Sequence, residues 1–235
     1  MRIRGLQKLT LLDYPGHTAC TVFVGGCNYR CPFCHNAGLV LRPEEQQEIP
    51  QEEFFEFLES RKGLLDGVVI TGGEPTIQPG LTDFMRRVRD FGYDVKLDTN
   101  GSCDTVLLAD MIDDGLVQYV AMDIKNAPCL YWLTTGIKDE KHRWQYPAEQ
   151  VWLLKKGFVE YEFRTTVVKE FHRPDDMRKI AKWLSGAERY YIQQFRDSGD
   201  LIGPGQYHAY SAEEMRELLD IVREYVPNAD LRGVE

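Results

Sequence analysis

Two hydrophobic periods alternate along this chain, and that alternation limits the folds open to it more than any other feature. Apolar runs rich in β-branched residues recur at 18–24, 67–71, 93–98, 117–122, 159–168 and 189–195, and each reads as a buried strand. Between most of them lie stretches of helical period, such as Leu81, Phe84, Met85 and Val88, or Met177, Ile180, Ala181 and Leu184. Strand and helix in strict turn imply parallel strands joined by outer helices. The expected fold class is α/β, and about six repeats favour a partial (β/α)6 barrel, parallel strands inside and helices outside. Local signals agree: Gly92 caps the end of one helix, and Ser211 with Glu214 forms a capping box that opens the last one. That helix buries Met215, Leu218, Leu219 and Val222 and is expected to stop at Pro227. Segments 126–146 and 196–210 break the rhythm and read as long irregular loops, a type that is usually functional or mobile. With 235 residues and no linker or low-complexity tract, one domain over 1–235 is expected.

Residues 1–4 lack the apolar run of a signal peptide, and no stretch approaches the roughly 20 apolar residues that cross a bilayer. A cytoplasmic location with no membrane partner follows as an expectation. The 28 Lys+Arg against 37 Asp+Glu leave a formal net charge of -9, which argues against a nucleic acid partner, since phosphate binding needs clustered positive charge. Six cysteines in a reducing compartment do not suggest a disulfide framework. Three of them, Cys27, Cys31 and Cys34, are spaced C-x3-C-x2-C. Zinc would accept these thiolates with His35, but adjacent Cys34 and His35 would have to converge on one ion, whereas zinc ligands are usually separated by two or more residues. A 4Fe-4S cubane normally takes four cysteines, so three leave one iron open to a small molecule. Cys20, Cys103 and Cys129 fit no motif and read as small buried residues. His17, His142, His172 and His208 read as surface or packing residues, and Trp132, Trp144, Trp152 and Trp183 take no ligand role.

With Phe33 as the aromatic, the pattern C-x3-C-x-aromatic-C resembles the signature of the radical S-adenosylmethionine (SAM) enzymes. The resemblance implies that SAM chelates the open iron through its amino and carboxylate groups. One electron then cleaves it to methionine and a 5'-deoxyadenosyl radical that abstracts a hydrogen atom; the protein positions the cofactor and excludes side reactions. The run Ile70-Thr71-Gly72-Gly73-Glu74-Pro75 resembles the GGE motif of that family. There Gly72 and Gly73 would let backbone approach the ligand, and Glu74 would hold the SAM ammonium. Asp98-Thr99-Asn100-Gly101 and Asp123-Ile124-Lys125 end the next two strands, at the rim where β/α barrels gather their sites. Asp98 and Asp123 would repel each other unless a ligand, an ion or Lys125 offsets them.

The N-terminal Leu11-Leu12-Asp13-Tyr14-Pro15-Gly16 and the run Cys34-His35-Asn36 resemble elements of the activating enzymes of glycyl radical proteins. The start, from Gly5 to Gly16, is most similar to their longer subgroup, the anaerobic ribonucleoside-triphosphate reductase activating proteins. The resemblance implies SAM contacts from Phe33, Asp98, Thr99, Asn100, Asp123 and Lys125, and a monovalent cation held by Asp98, Thr99 and Asp123. It also implies that Arg164 approaches the SAM carboxylate. Some members insert a region with further cysteine clusters; here only Cys103 and Cys129 follow, so one cluster is expected. Pyruvate formate-lyase activators place a SAM-contacting histidine near the sixth strand, where this chain has Gln193 and Gln194. The implied activity is removal of the α-hydrogen from a glycine of a partner glycyl radical enzyme, with flavodoxin or ferredoxin as electron donor. Segments 126–146 and 196–210 would admit the glycine-bearing loop. Alternatives are a radical SAM enzyme acting on a pyruvate formate-lyase type partner, a small molecule or a peptide, and a zinc-binding module without catalysis.

Overall fold

The apolar runs form six parallel strands where they are expected: β2 (Ala19–Val24), β3 (Gly67–Gly72), β4 (Asp94–Thr99), β5 (Tyr119–Asp123), β6 (Glu160–Val167) and β7 (Tyr190–Gln194). The computed structural model describes residues 1–139 and 144–234, so His142 and part of segment 126–146 lie outside them. Two strands beyond the expected six flank the set: β1 (Ile3–Thr10), antiparallel to β2, and β8 (Asp230–Arg232), parallel to β7. Their sequences hid them for a physical reason. An edge strand has one hydrogen-bonded neighbour and need not be apolar. In β1 only Ile3 and Thr10 are buried, and β8 has three residues, none of them buried.

Spatial order follows chain order from β1 to β8, so every crossover advances by one strand in the same direction. Such a sheet curls into a partial barrel with helices outside. These are α1 (Ala37–Leu41), α2 (Gln51–Glu59), α3 (Leu81–Asp90), α4 (Thr105–Asp113), α5 (Tyr131–Thr135), α6 (Tyr146–Leu154), α7 (Pro174–Trp183) and α8 (Ala212–Arg223). The predicted stripe of α3, Leu81, Phe84, Met85 and Val88, is buried, with the Phe84 ring 5.4 Å from both Phe54 and Phe55 of α2. Burying side chains of this size stabilises the layer by about 1.5–3 kcal/mol each. Gly92 ends α3 at φ +91°, a conformation that favours glycine.

Two expectations about helices need correction. Segment 126–146 is not irregular throughout: it holds a 3-10 turn at Pro128–Leu130 and the five-residue α5, which buries Tyr131, Thr134 and Thr135. A helix that short carries too little periodicity to be seen in sequence. The last helix ends at Arg223, before Pro227, where the Tyr225 N–H bonds three residues back to the carbonyl of Val222 at 3.0 Å in place of the four-back helical bond.

Because side chains alternate along a strand, each parallel strand sends one set outward and the other into the barrel. Val68, Ile70, Val95, Leu97, Val120, Met122, Tyr161 and Phe163 join the core under the helices. The inward set divides by height. Near the N-terminal strand ends Ala19, Val69, Tyr119 and Ala121 pack with Tyr14, whose ring closes that mouth against Gly67. Higher up the inward residues are charged: Lys96, Asp98, Asp123, Glu162 and Arg164. The apolar end closes the barrel and the charged end opens it. Among the described residues no helix is long and apolar enough to cross a membrane.

The capping box of α8 is formed, with Ser211 Oγ accepting from the Glu214 N–H at 3.2 Å and Glu214 Oε2 accepting from the Ser211 N–H at 2.6 Å. Replacing Ser211 by Ala is expected to cost about 1 kcal/mol. Differential scanning calorimetry should register this as a fall of about 2–4 °C in Tm for a chain of this size.

Candidate active site

At the C-terminal ends of the strands a cavity of about 270 Å³ opens into the barrel mouth. Its wall brings together Cys27, Cys31, Cys34, Phe33, Gly72, Gly73, Glu74, Asp98, Thr99, Asn100, Asp123, Lys125 and Arg164, residues drawn from 138 positions of sequence that the strand ends place in one ring. Tyr29, Asn36, Thr71 and Thr166 share the wall without having been expected there, and Gln193 lines it as well. Gln194 instead donates to the Tyr210 carbonyl at 2.7 Å.

The cysteines occupy the loop after β2. Cys34 N–H closes a turn onto Cys31 O at 3.0 Å. Cys27 Sγ accepts from the Tyr29 N–H at 3.4 Å and the Asn100 amide at 3.6 Å. Burial, reinforced by Glu74, pushes the Cys27 thiol up to about 11; burial alone is the main reason that Cys31 rises to about 12, while nearby Lys125 pulls the other way. Thiolates in so dry a loop need a cation, and a metal centre provides one. Among the described residues no three His, Cys, Asp or Glu side chains converge on a single ion position. A cubane does not need that convergence, because each thiolate binds a different iron. Three thiols in one loop, Cys31 buried and Cys27 and Cys34 half-buried at the cavity wall, with N–H donors on the Cys27 sulfur, fit a 4Fe-4S cluster that keeps one iron open. His35 lines the wall but is solvent-exposed.

Gly72 and Gly73 line the cavity and also allow a close backbone contact that sequence alone did not reveal. A Cβ on Gly73 would lie 1.9 Å from Gly26 O, and one on Gly72, at φ +114°, would lie 2.5 Å from both Val24 N and Val24 O. The pair lets the end of β3 approach the backbone that leads into the cysteine loop. Gly73 N–H to Val24 O and Glu74 N–H to Gly26 O, both 2.8 Å, seal that contact.

Glu74 is fully buried and already has donors. Its Oε1 accepts from Thr76 N–H (3.1 Å), Thr76 Oγ1 (2.6 Å) and Thr99 Oγ1 (2.8 Å), and Oε2 accepts from Asn100 N–H at 2.7 Å. The carboxylate joins the turn after β3 to the turn after β4. Burial raises its pKa, these hydrogen bonds lower it, and burial wins. No ion pair reaches it among the described residues. Oε2 retains acceptor capacity, so a cationic group in the cavity would find an anion that lacks a counter-charge.

The Asp98–Asp123 repulsion is relieved mainly by Arg164, not by Lys125 alone. Its Nε donates to Asp123 Oδ1 at 2.9 Å and its Nη1 to Asp98 Oδ2 at 3.1 Å, and Lys125 Nζ adds a 2.9 Å contact to Asp123. Burial would raise the Asp123 carboxyl, but Arg164 and Lys125 together hold it well below the usual range.

Phe33 packs its ring into an aromatic group with Phe171 (5.4 Å), His172 (5.9 Å) and Phe195 (6.3 Å). Leu201 and Tyr207 of segment 196–210 cover that group, and Gly203 N–H donates to Pro32 O at 2.7 Å. From the other side Arg30 N–H donates to Thr135 O at 2.9 Å. Both long segments therefore hold the cysteine loop. His172 is a packing residue as expected: Nδ1 accepts from Val168 N–H, which leaves Nε2 to donate to Lys125 O. His17 stacks on Tyr14, and exposed His208 meets Glu170. Cys20 and Cys103 are buried, but Cys129 is exposed.

Residues 21–184 match the sequence profile of the Radical SAM superfamily. The chain belongs to the radical SAM superfamily. Membership implies a 4Fe-4S cluster and SAM, and the zinc-binding, non-catalytic reading falls with it. Along nearly its whole length this radical SAM protein is similar to a provisionally named glycyl-radical enzyme activating enzyme of Methanocaldococcus jannaschii, at 30% identity over 99% of this chain and 96% of that one. The pyruvate formate-lyase-activating enzyme of Clostridium pasteurianum is 32% identical over 43% of this chain and 43% of its own. Among solved structures, Streptococcus suis SuiB bound to S-adenosylmethionine gives a TM-score of 0.68 at 13% identity, covering 91% of this chain and 52% of that one. QueE from Escherichia coli gives 0.58 at 15%, covering 98% and 93%. Identities this low speak to fold alone.

Two measurements follow from the site. Replacing Cys27, Cys31 or Cys34 by Ala should abolish iron and sulfide in anaerobically reconstituted protein, whereas Cys103→Ala and Cys129→Ala should retain both. A Cys103 or Cys129 variant lacking iron would redraw the site. The second concerns pH. Burial lowers the His172 pKa to about 4, against about 6.5 when unfolded. As pH falls the unfolded chain therefore takes up this proton first. The His172 contribution is intact above pH ~6.5 and lost progressively down to pH ~4, a change of roughly 3 kcal/mol. Urea titrations across that window should give a flatter stability profile for His172→Asn than for the native chain.

Proposed function

We propose that this radical SAM enzyme generates a glycyl radical on a partner enzyme by removing the α-hydrogen of one glycine. The observation that carries this reading is the similarity to the Methanocaldococcus jannaschii relative, which runs through both chains nearly end to end and bears the name of that activity. When bound, the cluster and SAM supply the electron and the hydrogen-abstracting radical. This chain supplies the setting. Cys27, Cys31 and Cys34 hold the cluster, with the Tyr29 N–H and the Asn100 amide directed at the Cys27 sulfur. Glu74 Oε2 receives the SAM ammonium, a charge-assisted contact for a carboxylate that otherwise has none.

Lys125 and Arg164 present positive charge to the SAM carboxylate. In both, burial lowers the pKa, and the neighbouring anions, Asp123 foremost, together more than restore it, so each stays protonated. A monovalent cation held by Asp98, Thr99 and Asp123 belongs to the same reading, although Arg164 already bridges the two aspartates. The Phe33 aromatic group keeps water from one side of the cluster. The partner is an anaerobic ribonucleoside-triphosphate reductase or another glycyl radical enzyme, and a flavodoxin or ferredoxin delivers the electron, in the cytoplasm.

The test is anaerobic incubation of reduced, reconstituted protein and SAM with candidate glycyl radical enzymes, read by electron paramagnetic resonance. A glycyl doublet on one partner, absent when Cys31→Ala replaces the native chain, is the expected outcome. SAM cleavage with no radical on any glycyl enzyme would point to a different substrate.

A further inference from the structure

One charged side chain inside the barrel has no part in the site as described so far. Lys96 lies two residues before Asp98 on β4, so both point inward, with Lys96 one step nearer the closed end. Its side chain is 2% exposed. Nζ donates to the backbone carbonyl of Asp13, lies 3.6 Å from Asp98 Oδ1 and 3.8 Å from Glu162 Oε1, and sits over the Tyr119 ring. Glu162 is held from the other side by the Arg232 fork at 2.6 and 2.7 Å and by Tyr119 Oη at 2.8 Å. The ammonium is thus fixed by backbone below and carboxylates above.

Asp98 depends on it. Oδ2 accepts from Arg164, while Oδ1 is buried without a hydrogen bond and has Lys96 as its nearby charge. A bare buried carboxylate oxygen is costly unless a cation offsets it. Without Lys96, Asp98 would draw on Arg164 with both oxygens. The guanidinium would shift off Asp123, and the cavity floor would change shape and charge.

We infer that Lys96 is a positioning residue for SAM, which acts by sharing Asp98 so that Arg164 can span both aspartates at the cavity floor. The inference rests on the reading of this cavity as a SAM site. It also gives the segment Asp13–Gly16 a role from the far end of the barrel. Tyr14 seals that mouth, and the adjacent Asp13 carbonyl anchors the lysine that sets the floor.

The test is a double-mutant cycle on anaerobically reconstituted protein, with SAM affinity read by titration calorimetry, iron content by assay and stability by urea denaturation. Lys96→Met should weaken SAM binding roughly tenfold to hundredfold, as when the outer support of a site is removed, with iron content unchanged. Lys96→Gln keeps a donor for Asp13 and loses only the charge; it should show the same loss and serves if the Met variant does not fold. Adding either change to Asp98→Asn should weaken binding no further, since Lys96 acts through that carboxylate; a general structural defect would multiply with it. Native affinity in the Lys96 variants, or losses that multiply in the double variants, would overturn the inference while native protein still binds SAM. Failure of the native protein to bind SAM would instead remove the reading on which the inference rests.

Discussion

Two carboxylates, Asp98 and Asp123, end neighbouring strands and face one cavity, and the mouth of the barrel can form only if their charge is neutralised in place. Arg164 does so by reaching both from β6, and Lys125 adds to it at Asp123. Removing ions from water costs several kcal/mol each, so an apolar floor would stabilise the fold at least as well. Charge retained at such a cost is better explained by chemistry than by stability. The groups are fixed by packed strands rather than by flexible loops, so little reorganisation is left for the moment when a charged ligand enters.

Glu74 applies the same logic to the rim. Its two oxygens gather donors from Thr76, Thr99 and Asn100, which ties the end of β3 to the end of β4. Asn100 passes the order on, with its side-chain amide on Asn28 at 3.1 Å and on Cys27 Sγ. Asn28 and Ser102 complete the link at 2.8 Å. One buried carboxylate therefore fixes both the rim and the orientation of a sulfur ligand.

The sequence made legible what repeats or what is chemically rare. The β-branched runs located β2 to β7, and the cysteine spacing with the strand-end carboxylates located the cavity. What escaped has no local signature. β1 pairs on one side and is polar, and α5 is too short for a period. Long-range partners were hidden as well: Arg164 lies 41 residues from Asp123 and 66 from Asp98, so its bridge between them exists only through strand register. The glycine pair was recognised, but only part of its role was legible: its positions suggested room for a ligand, and the structure shows that they also make room for the backbone of Val24 and Gly26.

The two long segments follow from the nature of the cysteine loop. From Gly25 to Asn36 that loop has almost no regular structure, yet it must present three sulfurs in fixed relation. Its backbone groups find partners elsewhere: Gly26 N–H on Leu39 O, Arg30 N–H on Thr135 O, and Pro32 O under Gly203 N–H. Asn36 adds a side-chain bond to Gly72 O at 3.2 Å. Segments that looked like openings for a substrate are in this respect the frame of the loop. The two functions coexist only if a docking partner engages the outer side of these segments while their inner side stays bonded to the loop. A displacement of segment 196–210 would reach Pro32 and the Phe33 ring directly, so contact at the rim is coupled to the sulfur ligands by geometry alone.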